Sequence, residues 1–432
     1  GTVFMTLYNV VDTYFAGKIS AEALAALAQT FPVYFIIIAI GVGLSIGTTS
    51  LIANALGEKK KEKASYFLAQ SISLSIFTSL IVSLVGIYLG PYIILAMNDS
   101  IITMRLSMDY LNIIFLGSIF IFIQMAVNSS LSASGDTKTN RNVLIVSFFL
   151  NIVLNPLFIF GYGIIPAMGM KGIAISTIVS QALGTLYIIY KVTKTDLSSY
   201  LYLNCFKPKI QILIDLLKQG VPASLGMMMI SVGVFIILFF ISQYGDLAVA
   251  GYGTAIRYEQ LYLLPVLGIN TAVLSMVGQN FGAKQIQRIS EIYNKALFYG
   301  CTFMFISGFV IYFSAETAVS LFTNNPEVIK FGTTYLQITA FMEPIYPIFF
   351  ISNALIQGLK KANIVMYLTI GRMVIMPSIV LWYLIFYLNS SFDFVFWGLL
   401  TINWIFGIFV FILTKSLIKK EIKKIDLIEQ TT

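Results

Sequence analysis

The chain has 432 residues, of which 58% are hydrophobic and only 11% charged, with a mean hydropathy of +0.87. Soluble domains carry about 25% charged residues, so a soluble globular protein is excluded and a polytopic membrane protein is expected. The absence of histidine removes His-ligated metals and His-based catalytic triads, and the net charge of +8 must be located before it is read as a nucleic-acid signal.

Apolar stretches of about 20 residues recur between short polar breaks. They fall near 1–16, 24–47, 64–90, 109–133, 142–162, 170–191, 217–242, 250–278, 288–313, 331–357, 364–388 and 395–416. Continuous β-barrel alternation is absent, so the expected fold class is all-α integral membrane with twelve transmembrane helices. The first is expected to be truncated, because the chain begins at Gly1 already in apolar sequence. Cys205 in the linker and Cys301 inside a span do not form a disulfide framework pattern.

In the first stretch, Leu7-Tyr8-Asn9-Val10-Val11-Asp12-Thr13-Tyr14, Asp12 is a carboxylate in apolar sequence. A charge at membrane depth costs about 2.5–3.5 kcal/mol on insertion scales, which makes Asp12 a candidate functional residue; the alternative is a helix-end aspartate among headgroups. Between the spans, the breaks after even-numbered helices and the tail hold Lys59, Lys60, Lys61 and Lys63, Lys138 and Arg141, Lys284, Arg288 and Lys295, Lys360 and Lys361, and the linker and tail lysines. The opposite side has Lys18, Arg105, Lys171 and Lys330. The positive-inside rule therefore places both termini in the cytoplasm of a cell-membrane protein. The basic excess is a topology signal with some anionic-lipid contact, not evidence for nucleic acid.

The linker near 192–216 divides the chain into an N-terminal six-helix lobe (1–191) and a C-terminal one (217–416), followed by a basic tail (417–432). A shift of 225 residues lays Gly57-Glu58-Lys59 on Gly282-Ala283-Lys284, Tyr110-Leu111 on Tyr335-Leu336 and Asn128 on Asn353; a shift of 221 brings Pro156 onto Pro377. An even number of spans per half makes these parallel repeats, an arrangement in which transporters bind substrate between the halves. In the second half, Arg257, Glu259, Glu343 and Arg372 lie within spans. Two charges of each sign suggest buried ion pairs; alternatively Glu343 attracts cationic substrate, with Tyr258, Tyr262, Phe341 and Tyr346 adding cation–π contacts. Pro32, Pro265 and Pro377 are candidate bend points. The run Gly57-Glu58-Lys59-Lys60-Lys61-Glu62-Lys63 lacks the P-loop pattern, and no other nucleotide motif occurs.

Several motifs resemble the multidrug and toxic compound extrusion (MATE) family of the MOP flippase superfamily. They are Val11-Asp12-Thr13 with Gly17, Asn54-Ala55-Leu56-Gly57 and its mate Gln279-Asn280-Phe281-Gly282, Ala133-Ser134-Gly135-Asp136-Thr137-Lys138, Leu154-Asn155-Pro156-Leu157-Phe158-Ile159-Phe160-Gly161, and Gly172-Ile173-Ala174-Ile175-Ser176-Thr177. The resemblance implies a V-shaped pair of pseudo-symmetric six-helix lobes and efflux of organic cations or amphiphilic drugs by antiport with Na⁺ or H⁺. It further implies a first-lobe cation site of Asp12, Asn128, Asn151, Asn155 and Thr177. One carboxylate among neutral oxygens, without a second titrating group, slightly favours Na⁺, held at Asp12, Asn151 and Thr177. Asn155 departs from the pattern, because close relatives in that branch carry an aspartate there. Ile230 stands where another branch has its carboxylate. Met227, Met228 and Met229 suit either an adaptable ligand surface, with Met228 the cavity candidate, or core filling. No cofactor beyond the coupling ion and no enzymatic activity are expected, and the expected state is a monomer. The alternative within the superfamily is a flippase for lipid-linked saccharides, disfavoured by the scarcity of intramembrane cations.

Overall fold

The computed structural model describes residues 2–96 and 100–431, and the side chains of 7–96 and 100–424. Gly1, 97–99 and Thr432 lie outside the described residues, as do the side chains at the start of the first expected span and at the end of the basic tail. Helices α1 (Thr2–Ile19), α2 (Ala21–Gly57), α3 (Lys61–Leu95), α4 (Ile101–Ala133), α5 (Lys138–Phe160) and α6 (Met170–Val192) make up the first half. Two 3-10 turns, Asp196–Tyr200 and Leu203–Phe206, lead to α7 (Ile210–Ile241). Then come α8 (Asp246–Gly282), α9 (Ile286–Ser320), α10 (Pro326–Thr339), α11 (Tyr346–Gly358), α12 (Ala362–Ile370), α13 (Met376–Trp382) and α14 (Phe392–Thr431). No strand occurs among the described residues.

Ten described helical segments are long and apolar enough to cross a membrane, and the bent pair α10–α11 makes an eleventh when taken as one span. Helix α1 is an 18-residue helix at the place of the first expected span and stands outside that count. Only a helix satisfies its own backbone in hydrocarbon, which explains this architecture. The helices are patterned inside out relative to a soluble protein. On α3, Phe77, Leu80, Leu84 and Tyr88 are exposed at helical spacing, whereas Ser71, Ser75 and Ser79 are buried. Small residues let backbones approach, and large apolar side chains suit lipid.

The chain forms two compact units, Gly1–Ser224 and Leu225–Thr432, divided within α7 rather than in the linker. In the first unit the start of α7 lies against α2: a Cβ on Gly47 would stand 2.8 Å from the backbone nitrogen of Gly220. The linker is strapped to α3 in the same unit. Buried Gln70 donates to the carbonyls of Cys205 (2.6 Å) and Lys207 (2.7 Å) and accepts from the backbone N–H of Lys209 (3.2 Å).

The internal repeat appears as one turn used four times. After α2, α4, α8 and the α10–α11 pair the chain closes a Schellman cap on Lys59, Gly135, Lys284 and Lys360, all with positive φ. Each makes the same two bonds, such as Lys59 N–H to Leu56 O (2.9 Å) and Lys60 N–H to Ala55 O (2.9 Å), or Gly135 N–H to Ser132 O (3.0 Å) and Asp136 N–H to Leu131 O (2.8 Å). The shift of 225 relates the turns between halves, and a second period of 76 residues relates them within each half. Three of the four place a lysine in the left-handed region, normally unfavourable for a residue with a Cβ.

The expected bend points behave differently. Pro32 and Pro265 sit inside unbroken helices. The chain instead bends by 46° between α10 and α11, where Pro344 and Pro347 supply no N–H to continue the ladder. Just before Pro377 the helix widens into a π-helical turn, Gly371–Ile375.

The Gly135-Asp136-Thr137-Lys138 motif is a helix start. Asp136 accepts from the backbone N–H of Lys138 and Thr139 (both 3.0 Å) and from the Thr139 hydroxyl (2.5 Å). Partial burial acts to raise its pKa, but these bonds outweigh it and hold the carboxyl below the usual carboxylate range. A depressed folded-state pKa gives stability that is present at neutral pH and lost as pH falls through that value. Asp136→Ala should therefore lower stability by about 1 kcal/mol at neutral pH. In thermal unfolding of the detergent-solubilised protein, the difference from wild type should vanish in acid.

Candidate functional site

Helix α1 carries Asp12 into the first unit, where it packs against α2, α5 and α6. Asp12 is 4% exposed, so the headgroup alternative for this carboxylate does not hold. Its Oδ1 accepts from Asn155 Nδ2 (2.8 Å) and Asn151 Nδ2 (3.1 Å), and its Oδ2 from the Thr177 hydroxyl (3.1 Å). Asn151 and Asn155 lie one helical turn apart and so present both amides on the same side of α5. They are locked together, Asn155 Nδ2 donating to Asn151 Oδ1 (3.0 Å). The Ser176 hydroxyl then donates to Asn155 Oδ1 (2.6 Å), which turns the Asn155 amide nitrogen toward Asp12. Close approach of α6 to α5 depends on Gly172, where a Cβ would come within 2.6 Å of the Phe158 carbonyl.

Asn128, expected with this set, is not brought to Asp12. Its Oδ1 is buried without a hydrogen-bond partner. The residue of α4 within electrostatic reach of Asp12 is Tyr110, and Asn128 lies 18 positions further along, about 27 Å at the helical rise. Three groups near the carboxylate escaped the sequence reading. Ser176 lies beside Thr177 in the same motif, Tyr8 stands one turn before Asp12 and donates to the Thr177 carbonyl (3.3 Å), and Tyr34 reaches Asp12 electrostatically from α2. The signal for Tyr8 was its four-residue spacing from Asp12.

Chemically, the array is a set of donors around an ionised carboxylate, and charge-assisted bonds of this kind are the strong ones. Oδ1 accepts two of these bonds and Oδ2 one, so a proton adds most readily to Oδ2, once the Thr177 hydroxyl turns away from it. For Na⁺ the set fits in part: Asp12 and Thr177 offer oxygens, but both asparagines turn N–H toward the carboxylate, and their amides must turn over to offer oxygen. Among the described residues no group of three acidic or cysteine side chains could hold a metal ion.

The second unit contains a different polar cluster. Glu259 on α8 is 3% exposed and accepts from the hydroxyls of Tyr335 and of Tyr346 (3.0 Å). Arg372, in the π-helical turn, donates its Nε–H to Asn403 Oδ1 (2.8 Å) and lies over the Phe349 ring at 4.2 Å. The expected buried ion pairs are thus corrected. Arg257 is exposed, and among the described residues no ion pair within 4.0 Å joins Glu259 or Glu343 to Arg257 or Arg372. Tyrosine hydroxyls meet the needs of Glu259, and aromatic faces with one amide meet those of Arg372.

Of the expected substrate-cavity set, Tyr258, Tyr262 and Glu343 come together in the second unit, with Tyr262 within electrostatic reach of Glu343. Glu343 is fully buried, so it is not on a surface that a ligand could reach in this conformation. Tyr258 and Tyr262 share a hydroxyl contact of 2.9 Å, Met228 is half-buried, and Phe341 is half-exposed, stacked on Trp397 at 6.1 Å.

A family model for MatE matches residues 1–157 and 222–384. The chain is 28% identical over 360 residues to the "Probable multidrug resistance protein YpnP" of Bacillus subtilis (strain 168), covering 83% of this chain and 79% of that protein. It is 26% identical over 342 residues to the "Multidrug export protein MepA" of Staphylococcus aureus (strain MSSA476), covering 78% and 74%. Among solved structures, it superposes with a TM-score of 0.90 and 26% identity on an outward-facing multidrug resistance MATE family transporter of the MOP superfamily, covering 98% of this chain and 93% of that one.

If Asn155 and Asp12 act as one unit, their substitutions should not add. Asn155→Leu removes a buried donor from a carboxylate and should cost about 1–3 kcal/mol. In the Asp12→Asn background it should cost less by about 1 kcal/mol or more, measured as a double-mutant cycle on thermal unfolding.

Proposed function

The chain belongs to the MatE family, and from that premise we propose that it exports drugs, coupled to inward movement of a cation that binds at Asp12. Members of the family are transporters and not enzymes, and the two relatives named above carry multidrug resistance or export names. The observation that carries the coupling role is the burial of one carboxylate behind three neutral donors, Asn151, Asn155 and Thr177. Substrates of the proposed activity are organic cations and amphiphilic small molecules. The membrane is the multi-pass bilayer that the apolar helices require; a cell membrane with both termini cytoplasmic is proposed from the lysine distribution.

The coupling step follows from the shell around Asp12. When Asp12 is ionised, the two amides and the Thr177 hydroxyl all donate to it and tie α1 to α5 and α6. When a proton adds to Oδ2, the charge that strengthens those bonds is gone, and the Thr177 hydroxyl must find another acceptor. The loaded and empty forms therefore prefer different packings of α1. Coupling requires such a difference, since a ligand that binds two states equally shifts neither. The turned amides favour H⁺ over the Na⁺ expected from residue types alone. The lipid-linked saccharide alternative is not favoured: Arg372 is enclosed by Phe349, Tyr346 and Asn403, which leaves it poorly placed to hold a phosphate.

Transport in proteoliposomes tests the reading, with H⁺ and Na⁺ gradients imposed separately and a fluorescent organic cation as substrate. An H⁺ gradient should drive uptake into inverted vesicles. Asp12→Asn should reduce uptake to the level of protein-free vesicles while leaving the thermal unfolding transition in place, and Asn155→Asp should shift the pH dependence. Full activity in Asp12→Asn would remove Asp12 as the coupling residue. Transport driven by Na⁺ alone would replace H⁺ as the coupling ion.

A further inference from the structure

We infer that Glu343 is a second proton-binding site, located wholly in the second unit and chemically separate from Asp12. Glu343 opens the 3-10 turn Glu343–Ile345 at the break between α10 and α11. It is 0% exposed, and neither carboxyl oxygen has a hydrogen-bond partner. A buried carboxylate with no donor and no cation beside it is among the most expensive groups a protein can contain. The economical form of Glu343 is the neutral acid, with a proton on one Oε.

The charges around it lead to the same place. Glu259 and Tyr262 on α8 and Tyr346 on α11 are the titratable groups within electrostatic reach of Glu343. From α9, Gly308 comes close: a Cβ there would stand 3.6 Å from the Glu343 Cβ. From α14 it is Gly407, packed against neighbouring Ile345. Neither helix adds a charge. Arg372 is the one buried cation of the cluster among the described residues, and its field acts on Glu259. The cluster thus contains two carboxyls and one guanidinium. The hydroxyls of Tyr335 and Tyr346 donate to Glu259, so Glu259 is equipped to be the ionised partner of Arg372. One negative charge would remain, and Glu343, which has no donors, is where a proton removes it.

A proton needs only the carboxyl itself, whereas a hard cation needs several oxygens at close range, and no hydroxyl makes a hydrogen bond to either Oε of Glu343. The position of Glu343 gives its proton a mechanical consequence. The turn is where the α10–α11 ladder is already interrupted, and Gly308 lets the α9 backbone close against the Ala340 carbonyl, 2.6 Å from where a Cβ would stand. Loss of the proton would place an unshielded charge in this contact and favour rearrangement of 340–345, where the backbone has least to lose.

The experiment is infrared spectroscopy of the purified protein in detergent at neutral pH, with carbon-13-labelled glutamate. Wild type should show an isotope-shifted C=O stretch of a protonated carboxylic acid that moves in D₂O. The band should persist in Asp12→Asn and be lost in Glu343→Gln. Absence of the band in wild type, or its persistence in Glu343→Gln, overturns the proposal; so does its removal by NaCl at constant pH, which would indicate a cation site. If Glu343→Gln fails to fold, Glu343→Asp with the same label should lose the shifted band and gain an unshifted one, and retention of the shifted band overturns the assignment. The measurement needs no transport, so failure of drug efflux leaves it intact.

Discussion

Taking a carboxylate out of water into a helical bundle imposes a requirement that the rest of the packing has to meet. Asp12 sits where α1, α5 and α6 meet, and the features that bring those helices together also supply its donors. The asparagines at positions 151 and 155 share one face of α5, Gly172 lets α6 approach, and Ser176 orients the second amide. No single residue accounts for the site. Without the close α5–α6 contact, Thr177 would not reach Oδ2, and the carboxylate would be left with two of its three donors.

The second unit meets the same requirement by other means. At the shift of 225, Tyr34 and Tyr110, both near Asp12, fall on Glu259 and Tyr335, which bond to each other. At the shift of 221, Asn151 falls on Arg372. Corresponding places in the two halves therefore hold inverted chemistry: an acid among amides in one, an acid among phenols with a built-in cation in the other. Arg372 acts on Glu259 through its field and not through an ion pair, seated as it is against Phe349 and bonded to Asn403.

Repetition and divergence also separate by layer. The Schellman turns recur at all four equivalent positions because helix ends in any half face the same problem of unsatisfied carbonyls. Inside the bundle, side chains are free to diverge once backbones have settled, since small buried residues such as Ser71, Ser75 and Ser79 set helix spacing and not chemistry.

Hydropathy, the lysine distribution and the repeat of Gly57-Glu58-Lys59 on Gly282-Ala283-Lys284 were sufficient for an all-helical membrane fold with two related halves. These signals are local, or depend on a period along the chain. Asp12 was also legible, because a lone charge in apolar sequence stands out, and the i, i+4 spacing of Asn151 and Asn155 announced a shared face. Other features depended on which helix lies beside which and at what height. Asn128 has the right chemistry at the wrong depth, about five turns from the part of α4 that approaches Asp12. Two acids and two arginines in the second half suggested mutual pairing, yet Arg257 points outward and tyrosines distant in sequence, Tyr335 and Tyr346, answer Glu259. The isolation of Glu343 is likewise invisible in sequence, since it depends on what does not come near it. Composition and periodicity determined what kind of protein this is, because burial in lipid constrains every residue of a span. Tertiary structure alone decided which polar groups meet, because a hydrogen bond of about 3 Å depends on the rotation and register of two helices, and neither is written in the sequence of one.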